Sequence, residues 1–140
     1  MSNLNKAISI AASAHDGQFQ KNGLPYILHP IHVMNSVNKL NEKIVAILHD
    51  VVEDTEVTIE QLKTEGFSIE ITEAISLLTK TEGTEYKSYI ENIKSNELAK
   101  AVKLADMKHN IDSLRLNELK DYDLKRIQKY HSSIKFLESE

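Results

Sequence analysis

Cysteine is absent from the 140-residue sequence, and this absence limits the chemistry open to the protein. Without cysteine the chain can form no disulfide, bind no zinc ion through thiolates and use no cysteine nucleophile. Any metal ion must therefore be bound by nitrogen and oxygen atoms of other side chains. Candidate sites are the places where histidine and carboxylate side chains cluster.

Long apolar runs and an excess of positive charge are also missing. No stretch approaches the ~18 consecutive apolar residues of a membrane-spanning helix. The net charge of −4 gives no electrostatic footprint for duplex DNA or RNA. The first residues could imitate a signal peptide, but Leu4, Ala7 and Ala11 follow helical spacing instead. We therefore expect a cytoplasmic protein with no membrane partner and no nucleic-acid partner.

Strand-like alternation and internal repeats are not found either, and apolar residues recur with helical spacing. The pair Thr58 and Gln61 has the spacing of a capping box that begins a short helix, which Gly66 closes. Asn96 is predicted to cap a longer helix whose apolar positions extend to Ile111 and Leu114. A chain of this length can bury ~68% of its unfolded surface. The sequence therefore predicts one compact all-α domain, residues 1–140, with about six to eight helices.

The densest group of reactive side chains lies in a predicted helix at residues 41–54. Each helical residue advances about 100° around the axis, so the apolar side chains share one face. His49, Asp50, Glu53 and Asp54 fall on the other face. Like charges at this spacing destabilise a bare helix by a few tenths of a kcal/mol, and a bound cation would reverse that effect. The alternative interpretation is a charged outer face that happens to contain a histidine.

Two further positions carry polar groups in unusual places. His29 precedes Pro30, which suits Pro30 as the first residue of a helix and holds His29 at the start of that helix. Asp106 interrupts an apolar run, where a carboxylate must be paired or bind a metal. Lys103, Asp106 and Asn110 lie within about 60° around that helix. An ion pair of Asp106 with Lys103 and a metal-ligand role for Asp106 both remain open.

With these residues identified, the chain resembles the His-Asp (HD) metal-dependent phosphohydrolase superfamily and, within it, the RelA/SpoT hydrolase domain. The segments that carry the resemblance follow the order of that domain's motifs: Ala14-His15-Asp16-Gly17-Gln18, Lys21-Asn22-Gly23-Leu24-Pro25-Tyr26-Ile27-Leu28-His29-Pro30, Leu48-His49-Asp50-Val51-Val52-Glu53-Asp54-Thr55 and Leu104-Ala105-Asp106-Met107-Lys108-His109-Asn110. The match extends from about Ala14 to Asn110. Its most specific part is the Glu-Asp-Thr sequence that follows the His-Asp pair.

The resemblance implies an all-helical, manganese-dependent HD domain that removes the 3′-pyrophosphate from guanosine tetra- or pentaphosphate alarmones. The chain is too short for the family's synthetase domain, which makes it similar to a stand-alone small alarmone hydrolase. Four residues match the family's metal ligands: His29, His49, Asp50 and Asp106. Glu53 and Asp54 match residues that orient or deprotonate the attacking water. Lys21 matches a lysine that contacts the substrate, and Asn110 matches a residue near the nucleoside.

The chain departs from the family pattern in two places. Gln20 stands where the family usually has arginine, and Met107-Lys108 stands where it has Arg-Leu. Neither glutamine nor lysine reproduces the planar fork of arginine. These departures motivate an alternative enzyme that hydrolyses another nucleotide phosphate ester. A further alternative is a non-catalytic metal-containing domain that senses a nucleotide.

The donor types also bear on the identity of the metal. Two imidazoles and two carboxylates suit Mn²⁺ and also tolerate iron, cobalt or zinc. Three histidines outside the implied ligand set are expected to be structural: His15, His32 and His109. Three tyrosines of the second half are expected to pack in the protein rather than to stack on a base: Tyr86, Tyr89 and Tyr130.

Overall fold

Helices form the regular structure of the protein in the computed structural model, which describes residues 3–112, 116 and 118–140. Eight described helices have six residues or more, and α4 is a four-residue turn. Their bounds are α1 Leu4–Ala14, α2 Leu28–Asn35, α3 Leu40–Leu48, α4 Val51–Asp54, α5 Ile59–Thr64, α6 Ile69–Leu78, α7 Tyr86–Lys94, α8 Glu97–Asn110 and α9 Asp121–Glu138. The prediction of an all-α fold is confirmed.

Helix α3 lies at the centre of the domain and packs against α1, α2, α6 and α8. Five consecutive residues of α3, from Ile44 to Leu48, are fully buried. Helix α8 crosses the same core and also contacts α7 and α9. One hydrophobic core extends from Ala7 in α1 to Leu137 in α9. Across the described ranges, no helix is both long enough and apolar enough to span a membrane.

Side-chain caps place several helix starts where the sequence predicts them. The Thr58 hydroxyl accepts a hydrogen bond from the Gln61 backbone N–H at 3.1 Å, and the Gln61 side chain accepts from the Thr58 N–H at 2.8 Å. This capping box satisfies two N–H groups that the helix leaves open. Gly66 follows α5 with φ of +97°, a conformation that favours glycine. At the start of α8, the Asn96 side chain accepts a hydrogen bond from the Ala99 backbone N–H at 2.9 Å.

Two helix boundaries differ from the prediction. Helix α2 begins at Leu28, so Pro30 is the third helical residue rather than the first. A proline fits there because the N–H groups of the first turn have no partner within the helix. The apolar pattern after Asn96 extends to Ile111 and Leu114, but α8 ends at Asn110. Ile111 is the C-cap, and Leu114 lies outside the described residues.

Candidate metal centre

The predicted helix at residues 41–54 is interrupted at His49 and Asp50, between α3 and α4. The His49 side chain provides a physical reason, because its Nδ1 lies 2.5 Å from the Ala46 carbonyl oxygen. In a continuous helix that oxygen would accept the backbone N–H of Asp50. The chain turns here and resumes helical bonding when the Asp54 N–H donates to the Asp50 carbonyl at 2.9 Å. As a result, the Nε2 atom of His49 faces the interior of the protein.

Helix α2, helix α8 and the turn between α3 and α4 bring together the four residues that the resemblance implies as metal ligands. One ligand atom from each of His29, His49, Asp50 and Asp106 lies within 4.8 Å of the others. Asp106 Oδ1 is 2.8 Å from His29 Nε2 and 3.3 Å from His49 Nε2. Asp50 Oδ2 is 3.0 Å from His49 Nε2 and 3.9 Å from His29 Nε2. This nitrogen and oxygen donor set fits Mn²⁺, Fe²⁺, Co²⁺ or Zn²⁺.

Asp106 forms the ion pair with Lys103 that the sequence left open, and it also faces two histidines, so its metal-ligand role stays a prediction. Its Oδ2 accepts a hydrogen bond from Lys103 Nζ at 3.2 Å, while its Oδ1 faces the two histidines. The Asn110 amide also donates to Oδ1, at 3.2 Å. Burial alone would raise the pKa of Asp106, but the positive charge of Lys103 and the nearby His49 hold this pKa well below its ordinary value. The ion pair therefore keeps a buried carboxylate ionised beside the proposed ligands.

His49 shows the opposite balance. Burial alone would lower the pKa of His49, but the carboxylates of Asp50 and Asp106 outweigh burial and raise it well above the ordinary value. In the metal-free protein His49 therefore holds a proton near neutral pH. A metal ion binds imidazole only in its neutral form, so it must displace this proton.

Tyr26 is a member of the site that sequence reasoning missed. Its hydroxyl donates a 2.5 Å hydrogen bond to Asp50 Oδ2. Burial and the negative charge of Asp50 raise the pKa of Tyr26, so the phenol keeps its proton and acts as a donor. The available sequence signal was the position of Tyr26 three residues before His29, in the Gly-rich motif segment. Its side chain restrains the orientation of the Asp50 carboxylate.

A second group of carboxylates adjoins the first, because Asp50, Glu53 and Asp54 also lie within 4.8 Å of one another. Glu53 is exposed, and its Oε1 accepts a hydrogen bond from the Lys80 backbone N–H at 2.7 Å. The loop that contains Gln18 borders this group, since the Gln18 amide donates to the Asp54 carbonyl at 3.1 Å. Partial burial, followed by the charges of Asp50 and Glu53, raises the pKa of Asp54 to about 6.

The raised pKa of Asp54 predicts a pH-dependent effect on the stability of the metal-free protein. The folded-state value of about 6 exceeds the ~3.9 of an unfolded chain, so folding favours the protonated carboxyl. That contribution is present below about pH 4 and is lost as the pH rises through 6. Asp54→Asn should therefore raise the thermal unfolding midpoint at pH 7.5 and change it little at pH 4. Equal gains at both pH values would contradict this origin.

A cavity of about 280 Å³ opens beside the metal centre, and both predicted substrate-binding residues line it. Lys21 is exposed, and its Nζ lies 3.3 Å from Oδ1 of the buried Asp123 and 4.9 Å from the centre of the Tyr122 ring. Asn110 reaches the cavity from the last turn of α8, where it also contacts Asp106. The cavity is thus continuous with the proposed metal ligands through Asn110 and His29.

Helix α9 contributes a cation that the sequence did not identify. Arg126 lines the cavity together with Tyr130, one turn later, which the sequence predicted only to pack in the protein. The guanidinium of Arg126 is 3.7 Å from Asp123 Oδ1, so Asp123 contacts Lys21 and Arg126 together. Gln20 lines the same cavity, and its amide donates to the Pro25 carbonyl at 3.3 Å. A guanidinium therefore reaches the cavity although position 20 carries none.

Curated proteins that are similar in sequence carry the names of enzymes of guanosine nucleotides. No protein-family model matches the chain. It is 40% identical, over 119 residues, to the guanosine-3′,5′-bis(diphosphate) 3′-pyrophosphohydrolase of Haemophilus influenzae, an alignment that covers 75% of this chain and 18% of that protein. It is 33% identical over 129 residues to the GTP pyrophosphokinase of Myxococcus xanthus, covering 79% of this chain and 17% of that protein. The chain thus spans less than a fifth of these curated relatives.

A solved structure has a similar fold over nearly the whole chain. It belongs to a metazoan ortholog of SpoT that is described as hydrolysing ppGpp and playing a role in starvation responses. The TM-score is 0.77 at 25% sequence identity, and the alignment covers 98% of this chain and 84% of the other. The similarity in fold therefore includes every helix that contributes a side chain to the candidate metal centre.

Proposed function

Because the chain is related in sequence and in fold to the RelA/SpoT-type HD-domain hydrolases, we propose that it is a metal-dependent phosphohydrolase. Its proposed reaction removes the 3′-pyrophosphate of guanosine 3′,5′-bispyrophosphate and of the corresponding pentaphosphate. The observation that carries this proposal is the group of two histidines and two aspartates beside a cavity that one of them, His29, lines. We also propose that residues 1–140 form one HD domain, which the common core supports.

The proposed ligands are His29, His49, Asp50 and Asp106, and the proposed ion is Mn²⁺, with Fe, Co or Zn also suited to these donors. The chemistry that such an ion supplies when bound is acidification of water, whose pKa falls from its bulk value toward ~7 at the most strongly acidifying sites. That change corresponds to ~12 kcal/mol at ~1.4 kcal/mol per unit. A general base typically contributes about 10²–10⁴-fold, or ~3–5 kcal/mol. The ligands should therefore affect the rate more strongly than the neighbouring carboxylates.

Glu53 and Asp54 are proposed to orient the attacking water and to accept its proton. Both carboxylates belong to the group that includes Asp50, so they lie beside the proposed metal ligands. Tyr26 holds the Asp50 carboxylate in place beside them.

Lys21, Asn110 and Arg126 are proposed to bind the substrate in the adjoining cavity. The substrate carries several negative charges on its phosphates, and two of these three side chains are cationic. Asp123 holds Lys21 and Arg126 at the same wall of the cavity. Arg126 supplies a planar guanidinium suited to a phosphate or a base, which Gln20 cannot do.

The variant Glu53→Gln is expected to keep its metal and lose activity. Glutamine preserves an oxygen that can accept the Lys80 N–H, so the local contact survives while the basic carboxylate is removed. We expect a fall of about 10²–10⁴-fold in kcat. Metal content and single-substrate kinetics on wild type and variant would measure it. Normal turnover by the variant would exclude Glu53 from handling the water.

A substrate panel tests the identity of the reaction. The panel contains guanosine 3′,5′-bispyrophosphate, guanosine 5′-diphosphate, a nucleoside monophosphate and a generic phosphomonoester, each with Mn²⁺ and purified protein. The proposal predicts that pyrophosphate is released from the first compound much faster than phosphate is released from any of the others. Preferential hydrolysis of another ester would favour the alternative that Gln20 motivates.

The cytoplasmic location and the absence of nucleic-acid partners stay predictions.

A further inference from the structure

His109 contacts one of the proposed metal ligands directly, although the sequence indicated only a structural role for it. Its Nδ1 atom lies 2.7 Å from Nδ1 of His29. The two rings are nearly parallel, at 6°, with centroids 5.0 Å apart. Because the facing nitrogen atoms are so close, this separation places the rings edge to edge, joined by an N–H···N hydrogen bond.

His32 lies one turn after His29 on α2 and covers the face of the His109 ring. The two ring centroids are 3.7 Å apart and the planes differ by 13°. His29 is buried, His109 is half-buried and His32 is exposed. The half-buried imidazole is therefore bonded at its edge to a buried histidine and shielded on its face by an exposed one.

Metal binding determines which imidazole must donate in this hydrogen bond. His29 presents Nε2 to Asp106 and Asp50, so Nε2 is the atom available to a metal and must then carry no proton. Neutral His29 consequently carries its proton on Nδ1, which is the atom that faces His109. Nδ1 of His109 must then accept the hydrogen bond that the Nδ1–H group of His29 donates. Neutral His109 consequently carries its own proton on Nε2.

We propose that His109 is a positioning residue that fixes the ring orientation and the tautomer of His29 for metal binding. The inference rests on the proposed metal centre, in which His29 is a ligand. The two histidine ligands are held differently, because Nδ1 of His49 is bonded to the backbone carbonyl of Ala46. The partner of His29 is a side chain, and substitution can therefore remove it. Partners of this kind typically account for 10–100-fold in metal affinity, roughly.

Two substitutions at His109 separate the hydrogen bond from packing. His109→Phe keeps an aromatic ring against His32 but removes the acceptor, whereas His109→Asn removes the ring and keeps an acceptor oxygen near the position of Nδ1. Mn²⁺ affinity, measured by the electron paramagnetic resonance of free Mn²⁺, should fall about 10–100-fold in His109→Phe. His109→Asn should stay much closer to wild type. The matched control His32→Phe keeps the ring stack and should bind as wild type does.

A spectroscopic measurement tests the tautomers without any activity assay. In Zn²⁺-loaded protein labelled with ¹⁵N at histidine, the proposal predicts a protonated Nδ1 for His29 and an unprotonated Nδ1 for His109. In wild type, the N–H···N hydrogen bond should also give a scalar coupling between the two Nδ1 atoms, and the Zn²⁺-loaded His109→Phe protein should lack this coupling. A protonated Nδ1 on His109 in the loaded wild-type protein would overturn the proposal.

The outcomes distinguish the positioning role from the metal centre itself. Wild-type affinity in His109→Phe would overturn the role of His109 while leaving the metal centre intact. Equal losses in both His109 variants, together with equally lowered unfolding midpoints of the metal-free proteins, would show packing and also overturn it. If wild type and His29→Ala both fail to bind Mn²⁺, then the proposed metal centre fails, and the role of His109 fails with it.

Discussion

Alanine at position 50 is expected to remove both the bound metal and the hydrolysis of guanosine 3′,5′-bispyrophosphate, while the helical fold is retained. Asp50 contributes one of the four proposed donor atoms and lies 3.0 Å from His49 Nε2. Its side chain is 16% exposed, and Asp106 still lies beside both Lys103 and His49, so these buried cations keep a partner in the metal-free protein. Loss of water acidification should lower kcat/KM by at least ~10⁴-fold.

The measurements for Asp50→Ala are metal content after gel filtration, pyrophosphate release and far-ultraviolet circular dichroism. Glu73→Ala is a suitable control, because Glu73 is an exposed carboxylate on α6. The control should match wild type in all three measurements. An Asp50→Ala protein that retains metal and hydrolyses normally would remove Asp50 from the ligand set.

Substitution of Lys103 by methionine is expected to have the largest effect on stability. The Lys103 side chain is only 14% exposed, and its Nζ is bonded to Asp106 at 3.2 Å. Methionine has a similar length but no charge, so it leaves the buried carboxylate of Asp106 without its ammonium partner. Breaking one partner of a buried pair costs about 3–5 kcal/mol. We expect the lower end of that range, since His29 and His49 also face Asp106.

Chemical unfolding of the metal-free proteins would measure this loss. Lys100→Met, three residues earlier on α8, removes a lysine whose partner Glu97 is exposed, and it should change stability by less than about 1 kcal/mol. Saturating Mn²⁺ should reduce the difference in unfolding free energy between wild type and Lys103→Met, because a bound cation becomes a positive partner of Asp106. If this difference is absent without metal, or becomes larger with metal, the proposed role of the Lys103 charge is wrong.

Local pattern was sufficient to predict the fold class and to single out unusual histidine and carboxylate positions, whereas the resemblance to the RelA/SpoT hydrolase domain selected the four proposed ligands. Helical spacing and caps such as Thr58 and Asn96 are properties of a few neighbouring residues, so they can be read along the chain. Asp106 stood out because a carboxylate interrupts an apolar helix. That these residues meet follows from the packing of α2, α3 and α8 on one another, which the resemblance implied and the structure shows.

Contacts between distant segments explain what could not be predicted. Arg126 reaches the cavity because α9 packs on α8, and no spacing along the chain connects it with Gln20. His109 looked structural because its neighbours on α8 say nothing of His29 on α2. The interruption after Leu48 was missed for a related reason, since it depends on the orientation of the His49 imidazole toward the Ala46 carbonyl.

Metal-dependent hydrolysis can be measured as pyrophosphate release from guanosine 3′,5′-bispyrophosphate by purified protein, in Mn²⁺ and again in excess chelator. We expect release in Mn²⁺, its loss in chelator, and no release from Asp50→Ala under either condition. Absence of release from wild-type protein that has been shown to hold its metal would contradict the proposed function.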